Sequence, residues 1–372
     1  MSDYTYLVAA GLADQGDDVQ VWCRPSSGSY PEVQGVTVHR DLGSMSSADL
    51  RRVGQQLDRF PAPRRLLVQW VPHAFGYRSM NVGFCYWLLG RARLGDRVEI
   101  MAHEAFLPFG RTWKQTLAAC VHRLMTILML RAAALVWISI PEWEEKFRPY
   151  ALGRPVDFHW LPIPSNIPVV DNPRLTERIR GQYAPDGATL IGHFGTHGWP
   201  ITSVLEPILK IMGEHPAPWS VLLMGGGSQE FRQELIRRNP SLDGIVHATG
   251  LLNPEDLSSH LTACDLLIQP YPDGASSRRG SLMVGLAHGK PIVTTDGPLT
   301  ASFWRESGAL ALAPAGDAAA FVNLAQQLGN NPEERRRMGL ASRKLYDDRF
   351  DVSHTVAALR GAGSLEYSGC AF

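Results

Sequence analysis

The sequence predicts an α/β protein of two domains, each a mainly parallel sheet covered by helices on both faces. Apolar strand-like runs alternate with helical stretches along almost the whole chain. The alternation breaks once, at a proline-rich stretch, and then restarts. Glycines cluster directly after several strand runs. Parallel strands need crossover helices, so sustained alternation is what a parallel sheet requires. At 372 residues the chain exceeds one ordinary core and suits two.

In the first half the strands are expected at 19–23, 36–39, 66–71, 97–104 and 134–140, spaced for one intervening helix each. "PIPSNIPVVDNP" (162–173) holds too many prolines for either element and reads as a linker. Beyond it, strands are expected at 189–195, 219–225, 244–250, 265–271, 290–296 and 309–314. The expected domains are 1–161 and 174–350, with a closing helix and tail over 351–372. The opening "DYTYLVAAGLADQGDDVQVWC" reads as helix, Gly16 stop and strand. A doubly wound domain usually begins one strand and one glycine loop earlier. The expectation is therefore a first sheet lacking its central strand, with that strand either upstream or replaced by another segment.

Composition excludes several functions. Lys plus Arg and Asp plus Glu each total 36, so neither a nucleic-acid-binding basic field nor an acidic tail is expected. The five cysteines (Cys23, Cys85, Cys120, Cys264, Cys370) are scattered and never spaced C-x-x-C, which argues against a disulfide framework or zinc site and for a reducing cytoplasm. No uninterrupted apolar run reaches the length of a bilayer span. The nearest, Trp113 to Ile140, is interrupted by Lys114, His122, Arg123 and Arg131. It reads as a packed helix followed by a strand. A basic apolar helix lying on a membrane surface is the second reading.

Candidate chemistry should follow the strands, because open α/β sheets bind ligands beyond their strands' carboxyl ends. "GHFGTHG" (Gly192–Gly198) offers close backbone approach at Gly195 and Thr196, beside His193, ahead of a helix whose free N–H groups attract phosphate. "MGGGSQEF" places Gly225 and Gly226 at another such junction, without the spaced glycines of a dinucleotide site. In "DGASSRRGSLMVGLAHGKPIVTTD" (Asp273–Asp296), Ser276 and Ser277 are expected to cap a helix starting near Gly280, with Ser281 and Leu282 in its first turn. Arg278 and Arg279 then sit against the positive end of a helix dipole, a conflict that a bound anion resolves. In the first half, "MAHEAFLPF" puts His103 and Glu104 at a strand end, and "VPHAFGYR" puts His73 after another. A lone histidine there is commonly structural. No second histidine completes H-E-x-x-H, so no metal is expected.

These stretches together resemble the retaining glycosyltransferases of the two-domain GT-B type, called group 1 or family 4, over about Asp3 to Phe350. "ADQGDDVQVW" is similar to that family's first helix and second strand, and "EIMAHE" to its strand ending in an active-site histidine. "TLIGHFGTHG" is similar to its second-domain opening loop. "VHATGLLNPEDLSSHLTACDLLIQPYPDG" is similar to its approach to the donor loop, and "LMVGLAHGKPIVTTD" to its helix–Gly–Pro–strand segment. The family's usual two glutamates fall at Ser276 and Val284, and its usual basic pair after the opening loop is absent from "GTHGWP". The resemblance implies two Rossmann-like domains facing across a cleft, with a nucleoside-diphosphate sugar as co-substrate and no cofactor or metal. The donor would bind mainly to the second domain, and a sugar, lipid-linked or small-molecule acceptor to the first. It further implies catalytic His103, with Gly195, Thr196, Arg278, Arg279 and Gly280 to Leu282 around the diphosphate. His193, Gly225, Gly226, Ser276 and Ser277 would lie near the donor sugar or nucleotide, and His73 and Glu104 on the acceptor side.

The alternatives are a member that binds nucleotide or carbohydrate without turnover, and a different enzyme on the same architecture, such as a sugar-nucleotide epimerase. The latter needs an acid/base set that "SSRRGS" does not supply.

Overall fold

A computed structural model describes residues 2–25, 32–72, 76, 79–185, 187–214 and 218–361. Two compact units emerge among the described residues, one holding residues up to 162 together with 355–361, the other residues 163–354. His73 and Cys370 lie outside the described residues.

The first unit runs α1 (Ser2–Asp14), β1 (Val19–Trp22), β2 (Val36–His39), α2 (Ser47–Leu57), β3 (Arg65–Trp70), α3 (Val82–Arg93), β4 (Arg97–Ala102), α4 (Trp113–Ala132), β5 (Leu135–Ile138), α5 (Glu142–Phe147) and β6 (Phe158–Trp160). The last strand, β6, was not expected. Three residues beside Pro155 and Pro162 carry too little periodicity to reveal it. All its pairings are parallel, but they form two sheets, β1-β2 and β3-β4-β5-β6. Among the described residues no strand joins β1 to β3.

Sequence-local signals set several boundaries. Ser46 caps α2, its side chain accepting from Asp49 N–H while the Asp49 carboxylate accepts from Ser46 N–H, a reciprocal capping box. Buried at the centre of β4, Glu99 accepts from Arg65, Arg97 and Trp137 Nε1. A buried carboxylate is tolerated only when paired in this way.

The second unit runs α6 (Pro173–Tyr183), β7 (Thr189–Phe194), α7 (Trp199–Glu214), β8 (Trp219–Met224), α8 (Ser228–Arg238), β9 (Val246–Gly250), α9 (Pro254–Ala263), β10 (Leu266–Gln269), α10 (Gly280–Ala287), β11 (Ile292–Asp296), α11 (Ser302–Glu306), β12 (Leu310–Pro314), α12 (Ala318–Gly329) and α13 (Pro332–Arg349). The next helix, α14 (Val352–Arg360), returns to the first unit, where the Leu359 carbonyl accepts from Arg65 and Arg360 pairs with Asp17 at 3.2 Å. Helices α6, α9 and α13 all open on Asn-Pro, with the asparagine side chain accepting the N3 backbone N–H and proline at N1.

The second sheet is parallel throughout, in the order β12-β11-β10-β7-β8-β9. The order reverses between β7 and β10, the first strand of the unit and its fourth. That reversal is the topological switch point of a doubly wound sheet, where ligands bind beyond the strand ends. Strands β8 and β10 are buried along their whole length, as helix-covered parallel strands must be. The core centres on Ile191, Val221, Leu223, Leu266 and Ile268.

Candidate active site

The loops leaving β7 and β10 carry most of the expected second-domain residues, and the loop leaving β8 braces the first of them. Gly195 N–H donates to Met224 O at 3.1 Å, and His197 N–H to Gly226 O at 3.1 Å. Gly225 has φ of +110°, and a Cβ there would lie 2.4 Å from Gly195 O, so the position admits only glycine. The close approach expected of these glycines is therefore between two loops. The N–H of Gly195 is spent on it.

Behind this brace lie two imidazoles. His193 is buried, with Nδ1 2.9 Å from Ile268 O, and His197 Nδ1 lies 3.3 Å from Gly226 O. Their rings meet edge to face at 5.2 Å. Both Nε2 atoms are buried without a protein partner. Burial holds both below the usual histidine range, His193 at about 3, so both rings are neutral near pH 7. His197 was not singled out in the sequence.

The β10 loop is folded back on β11. Tyr271 N–H donates to Thr295 Oγ1 at 2.9 Å, Ala275 N–H to Thr295 O at 2.8 Å, and Leu299 N–H to Asp273 O at 2.9 Å. Helix α10 begins at Gly280 as expected, but Ser276 and Ser277 do not cap it. Its N-cap is Arg279 with no side-chain cap bond, because the serines lie in the turn before it. Ser276 Oγ is instead a buried hydroxyl without a partner. The Leu282 N–H is engaged with Arg279 O at 3.0 Å and is not an open donor.

Arg278 and Arg279 converge as the dipole conflict requires, and an anion does lie between them. It is the carboxylate of Asp273, 2.5 Å from Arg278 and in close contact with Arg279. The Arg279 guanidinium also lies 4.7 Å over the Tyr271 ring. Tyr271 OH shares a 2.8 Å hydrogen bond with Ser281 Oγ, and Ser281 Oγ and His193 Nε2 border the open side of Gly195. Two guanidiniums, two serine hydroxyls, a tyrosine and a neutral imidazole thus belong to one switch point. Its fixed charge is positive even with Asp273 in place. Val284, by contrast, is fully buried and faces the core.

In the first unit, His103 follows β4. Its N–H donates to Trp70 O at 3.0 Å, and its carbonyl accepts from Ser139 and from Trp143 Nε1, each at 3.2 Å. Nε2 lies 2.7 Å from Gln69 Oε1, an acceptor that places the ring proton on Nε2. Burial lowers its pKa to about 3. Tyr4 of α1 meets the ring edge to face at 4.8 Å, and its hydroxyl is buried without a hydrogen-bond partner. Glu104 follows, half-buried. Gln69 and Tyr4 were not expected, since both reach His103 only through tertiary packing.

A hollow of about 470 Å³ lies elsewhere, between Tyr183, Gln229, Arg232 and His247 along the outer strand β9. There Arg232 Nε donates to Val246 O and Gln229 Nε2 to Thr249 O, covering carbonyls of an edge strand. The hollow contains none of the switch-point residues.

Residues 190–331 match the family model described as glycosyl transferases group 1. Among solved structures, the chain is similar to sucrose-phosphate synthase from Thermosynechococcus elongatus, with TM-score 0.70 and 17% identity over 96% of this chain and 92% of that one. It is similar to a glycosyltransferase from Rickettsia africae, with TM-score 0.71 and 13% identity over 96% and 93%. It is also similar to HepE of Anabaena, solved in complex with UDP-glucose, with TM-score 0.66 and 16% identity over 97% and 96%. No curated protein matches the sequence. The fold is GT-B, two Rossmann-like domains, and the second carries the group 1 glycosyltransferase signature.

Proposed function

For a chain of GT-B fold whose second domain matches the group 1 glycosyltransferases, we propose transfer of a sugar from a nucleoside-diphosphate sugar to an acceptor. The observation that carries this reading is the convergence of Arg278, Arg279, Ser276, Ser281 and His193 on one switch point. A diphosphate carries more charge than the Asp273 carboxylate and would replace it between the guanidiniums. Charge-assisted contacts of this kind contribute about 1.5–3 kcal/mol each. The same contacts strengthen as the leaving diphosphate gains charge, which is electrostatic catalysis. Thr196, Gly226 and Ser277 are assigned to the donor side on the family resemblance. In the first domain, His103 acts as a neutral imidazole toward the acceptor, held by Gln69, with Tyr4 and Glu104 beside it. Retention of configuration is part of the proposal and rests on the family resemblance.

The second reading, binding without turnover, is favoured by Asp273 already neutralising one guanidinium and by Val284 facing the core. The two separate on one assay. With UDP-glucose as donor and a mixed acceptor pool, turnover releases free UDP only when acceptor is added. UDP binding with no acceptor-dependent release would support the second reading.

A further inference from the structure

The inner face of α4 is buried through Ala119, His122, Met125, Thr126, Met129 and Leu130. Its outer face is also apolar. Trp113, Leu117, Cys120 and Leu124 recur at helical spacing on one stripe, and Trp113 is 72% exposed, Leu117 52% and Leu124 45%. Phe109, 59% exposed, extends the stripe before the helix and is fixed by the Arg123 guanidinium 3.8 Å over its ring. A soluble surface helix ordinarily turns charged residues outward. Large apolar side chains along about 17 Å of helix instead mark an interaction surface.

Charge identifies the partner. From Phe109 to Ala133 the chain contains no Asp or Glu, while Arg111, Lys114 and Arg131 are exposed. Arg131 lies five turns beyond Trp113 on the same stripe, and Lys114 Nζ sits 5.7 Å over the Trp113 ring. A two-fold contact with a second copy would set these cations against one another with no carboxylate in the patch to meet them. Among the described residues no helix is long and apolar enough to cross a bilayer. We propose that the outer face of α4, with Phe109 and Arg111 before it, lies flat on an anionic membrane surface. The aromatic and leucine side chains enter the acyl boundary, and the cations meet lipid phosphates. This inference is independent of the reaction proposed above.

The test is co-sedimentation of the full chain with vesicles of phosphatidylcholine containing phosphatidylglycerol, and with phosphatidylcholine alone. Binding to the anionic vesicles is expected, weakened roughly tenfold or more by Trp113→Gln/Leu117→Gln and by Arg111→Gln/Lys114→Gln. All four side chains are exposed, so thermal melting should not move. Leu340→Gln, an equally exposed leucine on α13, should leave binding unchanged. No binding to anionic vesicles, or binding undiminished in both double variants, overturns the proposal. So does self-association in lipid-free buffer that the Trp113→Gln/Leu117→Gln variant abolishes, which would make the stripe an interface between copies.

Discussion

Asp273 lies 2.5 Å from the Arg278 guanidinium and bridges to Arg279, so the anion that the α10 N-terminus demands is supplied from within the loop. This makes the Arg pair a prepared site. Asp273→Asn would leave two adjacent cations without a counter-charge. The variant should melt lower than the wild type in nucleotide-free buffer and gain more on adding UDP, because the diphosphate then replaces nothing. A UDP-induced rise in melting temperature equal to or smaller than that of the wild type would show that Asp273 and the ligand do not compete.

The sequence reveals the conflict at Arg278 and Arg279 but not its resolution. Asp273 is only five residues upstream, yet it reaches the pair because Gly274 takes φ of +91° against Thr300, a tertiary constraint. The second-domain strands begin and end within two residues of their expected limits, because helix-covered parallel strands are continuous apolar runs bounded by turns. The first domain was less legible. Its sheet divides in two, and β6 is too short to leave a pattern. His103 was readable from its place at a strand end. Tyr4 and Gln69, distant in the chain, were not.

Gly225→Ala should disturb the brace between the β7 and β8 loops. The new Cβ would meet Gly195 O while the backbone holds a left-handed φ. A loss of about 1–3 kcal/mol is expected by chemical denaturation, together with a reduced UDP-induced melting shift. An unchanged midpoint would mean that the loops separate at little cost.

His193 makes stability depend on pH. Its folded pKa is about 3, well below that of an exposed imidazole. The unfolded chain therefore binds the proton first as pH falls, so this contribution is complete above the unfolded pKa near 6.5 and is lost as pH drops below it. By about pH 5 the loss from this one group reaches about 2 kcal/mol. Denaturation at several pH values should show a shallower slope for His193→Gln. An identical slope would remove His193 from the acid response.

Tyr4→Phe separates structure from function in the first domain. Deleting a buried hydroxyl without a partner should raise stability by up to about 1 kcal/mol. If that hydroxyl meets the acceptor, acceptor-dependent turnover should fall while donor binding holds. A less stable variant with unchanged turnover would contradict both parts.

Glu99→Ala removes the common acceptor of Arg65, Arg97 and Trp137 Nε1. Both arginines reach solvent, so the cost should sit near the lower end for a broken buried pair, about 3 kcal/mol by denaturant titration. A change below about 1 kcal/mol would mean that the network contributes little net stability.

The most direct measurement is calorimetric titration of the full chain with UDP, GDP, ADP and dTDP, beside Arg278→Ala/Arg279→Ala. The proposed donor site predicts that at least one nucleotide binds the wild type and that the double variant binds it at least roughly a hundredfold more weakly, two charge-assisted contacts being lost. Equal binding by wild type and variant, or binding of none of the four, would contradict the assignment of the arginine pair to the donor diphosphate.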